Sequence, residues 1–224
     1  MNKMPSLFSD DVLLRLRRTG IVAVLIVDQP AKAVKLAEAL LAGGVEAMEL
    51  TLRTPGAVDC LKAVRADVPQ MLAGVGTILF PQQVDQVLDA GAQFGVAPGT
   101  NPAVIRHAIA AGLPFAPGVV TPTDVDMALQ CGCRELKFFP AEPSGGIPML
   151  ASVKAPFAHL GLQYIPLGGV TTSNLTQWLK DPDVLAVGGS WLAKKELIDS
   201  SAWDEITNVA AASSAIVRTI RPNT

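Results

Sequence analysis

The chain repeats one phrase: a helical pattern, a glycine, then a short apolar strand. It reads AEALLAGGVEAMEL at 37–50, VDQVLDAGAQFGVAP at 84–98, IRHAIAAGLPFAPG at 105–118 and VDMALQCGCRELKFFP at 125–140. In each, the glycine falls where a helix C-cap needs a left-handed residue. The strand starts recur roughly every 20–25 residues, the length of one βα unit. The pattern predicts strands at 21–27, 46–52, 71–76, 94–97, 114–117, 135–139, 163–166 and 184–188. Helices are expected between them at 31–42, 55–67, 81–90, 102–111, 123–131, 146–155 and 173–180, with a final one over 203–219. Residues 9–19, SDDVLLRLRRT, read as an extra amphipathic helix before the first strand, with Ser9 or Asp10 as its cap. Eight strands alternating with helices predict an α/β fold, a (β/α)8 TIM barrel with an extra N-terminal helix. The competing fold is an open doubly wound sheet. Its phosphate loop normally follows the first strand, and IVAVLIVDQP has no glycine turn there. No low-complexity linker divides the chain, so 1–224 reads as a single domain with 1–19 as an N-terminal helical extension.

Composition narrows the function classes. A chain of 224 residues, half of them hydrophobic and 17% charged, can bury a substantial core and is not a disordered segment. A net charge of −2 offers no bulk attraction to nucleic acid or an anionic membrane. The start, MNKMPSLFSDDVLLRLRR, has no continuous apolar h-region, and no stretch reaches about 18 apolar residues, so a cytoplasmic protein is expected. Cys60, Cys131 and Cys133 fit a reduced compartment. Cys131 and Cys133 are one residue apart, the wrong spacing for a redox pair or zinc knuckle, so all three read as buried structural thiols. His107 and His159 have no second histidine at ligand spacing, which argues against a histidine-based metal site. A metal held mainly by carboxylates stays open.

The stretch RELKFFPAEPSGG at 134–146 puts Lys137 between Leu136 and Phe138, where a strand would bury it. An ammonium group is costly to desolvate without a partner or a use. A strand end from which the amine reaches water is one reading. Side-chain alternation offers another. In AMELTLR, Ala47, Glu49, Thr51 and Arg53 share one face and Met48, Leu50 and Leu52 the other. A barrel strand gives its apolar face to the surrounding helices, which sends Glu49 and Arg53 inward. By the same alternation Glu135, Lys137 and Phe139 face inward. Glu49, Arg53 and Lys137 then meet in one cavity, either as chemistry or as a buried ion-pair network that only ties strands together. Active sites of this fold sit at the C-terminal ends of the strands, often with a phosphate between the last two loops. PLGGV at 166–170 and VGGSW at 187–191 supply glycine pairs there, and Ser190 adds a hydroxyl.

These motifs together resemble the class I 2-keto-3-deoxy-6-phosphogluconate (KDPG) and 4-hydroxy-2-oxoglutarate (KHG) aldolases. The resemblance runs from about residue 20 to 215 and rests on EAMELTLRT, GVGTIL, GVAPG, APGVVTPTD, LKFFPAE, PLGGV and VGGSWL. It implies a (β/α)8 barrel, a homotrimer, a small 2-keto acid or phosphosugar acid substrate, and no cofactor or metal. It implies Lys137 as the Schiff-base lysine and Glu49 as the general acid/base. Arg53 and Thr77 would bind the substrate's carboxylate end, Pro98 would line the site, and Phe139 would wall the imine. Gly168, Gly169, Gly189 and Ser190 would hold the phosphate. Two positions depart from the family pattern: Leu167 stands where threonine is common, and Ile26 where some members carry an arginine. Both bear on phosphate binding more than on the imine. A phosphosugar isomerase or epimerase, and a non-catalytic phosphosugar-binding barrel, remain alternatives on the same fold.

Overall fold

A computed structural model describes residues 6–222. Helix α1 (Asp10–Thr19) comes first, capped by Ser9, whose hydroxyl accepts the Val12 N–H. Asp10 and Asp11 in its first turn and Arg17 and Arg18 in its last oppose the helix dipole. Strands and helices then alternate. They run β1 (Ile21–Leu25), α2 (Pro30–Ala42), β2 (Ala47–Thr51), α3 (Ala57–Asp67), β3 (Leu72–Gly76), α4 (Pro81–Asp89), β4 (Gly95–Val96), α5 (Pro102–Ala111) and β5 (Phe115–Ala116). The second half continues through β6 (Gly118–Val119), α6 (Pro122–Gln130), β7 (Glu135–Phe138), α7 (Gly146–Lys154), β8 (Gln163–Pro166), α8 (Leu175–Leu179), β9 (Val187–Gly189), α9 (Lys195–Asp199) and α10 (Trp203–Ile220). The glycines after α2, α4, α5 and α6 do the capping the repeated phrase implied: Gly44, Gly91, Gly112 and Gly132 all have φ between 80° and 96°.

Every pairing is parallel. One sheet runs β5-β4-β3-β2-β1-β9 and a second runs β6-β7-β8. Pro117 alone separates β5 from β6, and its carbonyl accepts the Lys137 N–H at 2.9 Å. On the other side, bridges Tyr164↔Val184 and Leu167↔Gly188 join β8 to the segment ending in β9. The result is a curled parallel α/β sheet with helices on its outer face.

The observed elements differ from the expected ones at their ends. The expected strand at 114–117 becomes two short ones, because a proline has no N–H to give a ladder. The expected strand at 184–188 is reduced to a bridge at Val184 and β9, which starts at Val187. A 3-10 turn over Ala155–Leu160 and the short α9 went unforeseen. Cys60 and Cys133 are buried, but Cys131 is only half-buried, since it follows the last turn of α6 on the helix side.

Two apolar clusters show which face is which. Ile21, Ala23, Leu25, Met48, Leu50, Ala73, Val75, Leu136 and Phe138 pack outward with the helices. Val22, Ala47, Leu72, Phe94, Val96, Ala116, Ile165, Leu185 and Ala186 form an inner cluster. Phe8 and Leu16, from the segment leading into β1, join that inner cluster, and the Phe8 ring lies 6.5 Å from Phe94. This apolar floor leaves the opposite, C-terminal end of the strands for polar groups.

Candidate active site

Above the floor, the inner faces change character. Glu49 is the third residue of β2 and Lys137 the third of β7. Their neighbours Met48, Leu50, Leu136 and Phe138 are drawn outward by the helix-side core, so alternation forces both charged side chains inward. Both are buried, Glu49 at 2% and Lys137 at 6% exposure. The Lys137 Nζ lies 3.1 Å from Glu49 Oε1 and 3.4 Å from Oε2. It also sits 5.4 Å from the centre of the Phe139 ring, within cation–π range. A buried pair of this kind adds little net stability, because desolvating two charges offsets their attraction. Its chemical consequence is clearer: an amine nitrogen and a proton-accepting carboxylate share one buried corner of a cavity.

That cavity has a volume of about 270 Å³ and lies at the C-terminal ends of the strands. The structure brings all the residues singled out above to its wall: Lys137, Glu49, Arg53, Thr77, Pro98, Phe139, Gly168, Gly169, Gly189 and Ser190. Arg53 reaches it differently than expected. β2 ends at Thr51, so Arg53 lies in the following turn, its N–H on the Thr51 carbonyl at 2.7 Å, and its side chain is exposed at the rim. Leu52 makes the last ladder bond, its N–H to the Gly76 carbonyl at 2.9 Å, and the strand stops there because the Arg53 N–H folds back to Thr51 while Ile78 gives its N–H to Val96. Thr77 has φ 63°, a strained conformation for a β-branched residue and a feature that clusters at functional sites.

On the far side, Gly168 and Gly169 hold consecutive left-handed conformations, φ 94° and 83°. A Cβ on Gly168 would come within 3.3 Å of the Phe139 ring, so the turn hugs the aromatic wall. Glu142 ties this turn to the end of β7. Its N–H donates to the Gly168 carbonyl at 2.9 Å, and its Oε1 accepts from Asn174 Nδ2 at 3.0 Å and Trp178 Nε1 at 2.7 Å. Within LKFFPAE nothing marks Glu142 for this role, since its partners lie 32 and 36 residues away.

Val24, Thr51, Val170 and Gly188 also border the cavity. Thr51 was on the right face in the alternation, and its hydroxyl is spent on the Leu25 carbonyl at 3.0 Å. Val24 had no signal, because IVAVL is apolar on both faces. Leu167 and Ile26, the two departures, are both wall residues. Leu167 packs onto the bare backbone of Gly188, where a Cβ would sit 2.5 Å from its Cγ. Among the described residues that border the cavity, the charged ones are Glu49, Arg53 and Lys137.

A family model described as "KDPG and KHG aldolase" matches residues 12–209. The chain is 38% identical over 190 residues to a KHG/KDPG aldolase of Escherichia coli, which covers 85% of this chain and 88% of the relative. Among solved structures, it is similar to the KDPG aldolase of Legionella pneumophila with pyruvate captured as a covalent carbinolamine. That match has TM-score 0.85 and 34% identity, over 90% of this chain and 97% of the other. It is also similar to the 2-keto-3-deoxy-6-phosphogluconate aldolase of Zymomonas mobilis ZM4 with 3-phosphoglycerate, at TM-score 0.83 and 36% identity over 92% and 96% of the two chains. With a curled parallel sheet, an inward lysine–glutamate pair and a family match over most of its length, the chain belongs to the KDPG and KHG aldolase family.

Proposed function

We propose that this protein is a Schiff-base lyase that cleaves 2-keto-3-deoxy-6-phosphogluconate to pyruvate and D-glyceraldehyde 3-phosphate. The same site would cleave 4-hydroxy-2-oxoglutarate to pyruvate and glyoxylate. The observation that carries this reading is the 3.1 Å contact between Lys137 Nζ and the Glu49 carboxylate on the wall of the cavity.

The chemistry follows from that contact. Only an unprotonated amine attacks a carbonyl, and Lys137 Nζ is presented to the cavity with Glu49 beside it. Lys137 adds to the 2-keto carbon to give a carbinolamine, which loses water to form an iminium. The bond between carbons three and four breaks, and its electron pair flows into the iminium to give an enamine. Glu49 takes the proton from the carbon-four hydroxyl as that oxygen becomes the aldehyde. Protonation of the enamine at carbon three and hydrolysis of the imine release pyruvate and restore the amine. Phe139, beside the nitrogen, favours the developing positive charge.

Arg53 and Thr77 would hold the keto-acid carboxylate. Gly168, Gly169, Gly189 and Ser190 would hold the phosphate at the other end, with Pro98 shaping the wall between. The close approach that two left-handed glycines allow supports an anion near that turn. The two sheets are read as one closed (β/α)8 barrel. The β9–β1 ladder, the bridges from β8 and the near-continuity of β5 and β6 support this closure. Residues 1–224 are read as one domain with an extra N-terminal segment and helix. A homotrimer is carried by the family resemblance alone, and a cytoplasmic location by the features of the sequence.

The test is intact-mass analysis after incubation with pyruvate and borohydride. A pyruvyl adduct is expected on the wild type and none on Lys137→Ala. A folded wild type that forms no adduct would overturn the imine reading and favour a phosphosugar isomerase or a binding protein.

A further inference from the structure

The inner face of β3 carries almost no side chains. It reads Leu72, Gly74, Gly76, because the residues between them, Ala73 and Val75, pack outward. In the parallel register Glu49 lies opposite Gly74 and Thr51 opposite Gly76. The two missing side chains leave space, and different groups take it up. At Gly74 it is the Phe94 ring, with a Cβ there falling 2.2 Å from the ring. At Gly76 it is the Glu49 carboxylate. A Cβ on Gly76 would lie 1.7 Å from Glu49 Oε1, 2.5 Å from its carboxyl carbon and 2.8 Å from Cγ.

Those are impossible distances, and the three nearest atoms all belong to that one carboxylate arm. The oxygen that would be displaced is Oε1, which is also the one nearer to Lys137 Nζ, at 3.1 Å. Gly76 does not need to be glycine for its own backbone, since its φ is not in the left-handed region. The strain at this corner belongs to Thr77, the next residue.

We infer that Gly76 is a positioning residue. Its lack of a side chain holds the Glu49 carboxylate against Lys137, so the proton-transfer steps depend on it while imine formation does not. This rests on the acid/base role proposed for Glu49.

The experiment compares Gly76→Ala, Glu49→Gln and the double variant by two readouts. One is borohydride trapping of the pyruvate imine. The other is exchange of the pyruvate methyl protons with deuterated water, which needs the imine plus a proton acceptor. Gly76→Ala is expected to keep the adduct and lose exchange by about 100-fold or more, within the range set by general acid–base catalysis. The double variant should exchange no more slowly than the slower single one, because both changes disable one group. Wild-type exchange in Gly76→Ala alongside impaired Glu49→Gln would overturn the positioning role alone. So would a double variant whose loss is the product of the two single losses. Wild-type exchange in Glu49→Gln would sink the acid/base reading and this inference with it. Should Gly76→Ala fail to fold, it is placed in a Glu49→Ala background, which removes the overlapping atoms. Recovery of folded protein there supports the inference, and failure to recover contradicts it.

Discussion

Glu49 and Lys137 come from strands far apart in the chain, and they are buried in contact with each other. The pair therefore makes a specific demand on substitutions. Glu49→Gln keeps the shape of the side chain but exchanges one acceptor oxygen for an NH2 donor and cannot accept a proton. Its aldol cleavage rate should fall by about 100- to 10,000-fold. The pyruvate–borohydride adduct should persist, because Lys137 still supplies the nitrogen. Steady-state cleavage assays beside mass analysis check both halves. Equal loss of cleavage and adduct would mean that Glu49 acts in forming the imine rather than after it. At this scale the sequence was informative, because a lysine and a glutamate at inward positions of apolar strands are costly and so carry a signal. Gly76 was not legible in the same way. A glycine's purpose is the atom that occupies its space, and that atom belongs to another strand.

At the scale of elements, the boundaries are written in local chemistry. Four helices, α2, α4, α5 and α6, begin with proline at the first helical position, where its missing N–H costs nothing. Helix α6 also carries a full capping box. Thr121 Oγ1 accepts the Asp124 N–H, and Asp124 Oδ2 accepts the N–H groups of Thr121 and Val120 at 2.8 and 3.0 Å. Thr121→Ala should therefore cost about 1 kcal/mol. For a chain of this size that lowers Tm by roughly 2–4 °C. A thermal melt of the variant checks it, with adduct formation expected to stay unchanged. Strand ends were harder to read. The early stop of β2 at Thr51 comes where Ile78 gives its N–H to Val96 of the neighbouring β4 instead of continuing the β2 ladder, and the late start of β9 depends on its pairing with β1. Such partners are outside any local window, so periodicity placed the strands but overran their ends.

The whole molecule has a closed end and an open end. At the closed end, Phe8 packs by Phe94 and Glu135 is buried beneath the N-terminal segment. Glu135 Oε1 accepts the Ser6 hydroxyl at 2.9 Å, while Oε2 has no hydrogen-bond partner among the described residues. Burial pushes this carboxyl above its usual range, against the opposing effects of the Ser6 hydrogen bond and the Arg134 charge. A carboxyl whose folded value is raised costs stability where it is ionised. The cost is present above the folded value and disappears as pH falls through it, because the native state then takes up its proton first. Glu135→Gln should therefore be more stable than the wild type at about pH 8, with the difference shrinking toward about pH 4.5. Thermal unfolding at both pH values tests this, and a difference independent of pH would contradict it.

The sequence by itself determined the repeating βα rhythm, the inward faces of β2 and β7, and the residue types around the cavity. Those follow from helix caps, strand alternation and the cost of burying charge, all of which act within a few residues. Only the tertiary structure decided that Glu49 Oε1 meets Lys137 Nζ at 3.1 Å, that Gly76 vacates the space for it, and that Glu142 straps the Gly168–Gly169 turn to β7. Each of those depends on curling the sheet until strands distant in sequence share one interior. The contact distances are set there by packing between strands, which no local pattern encodes.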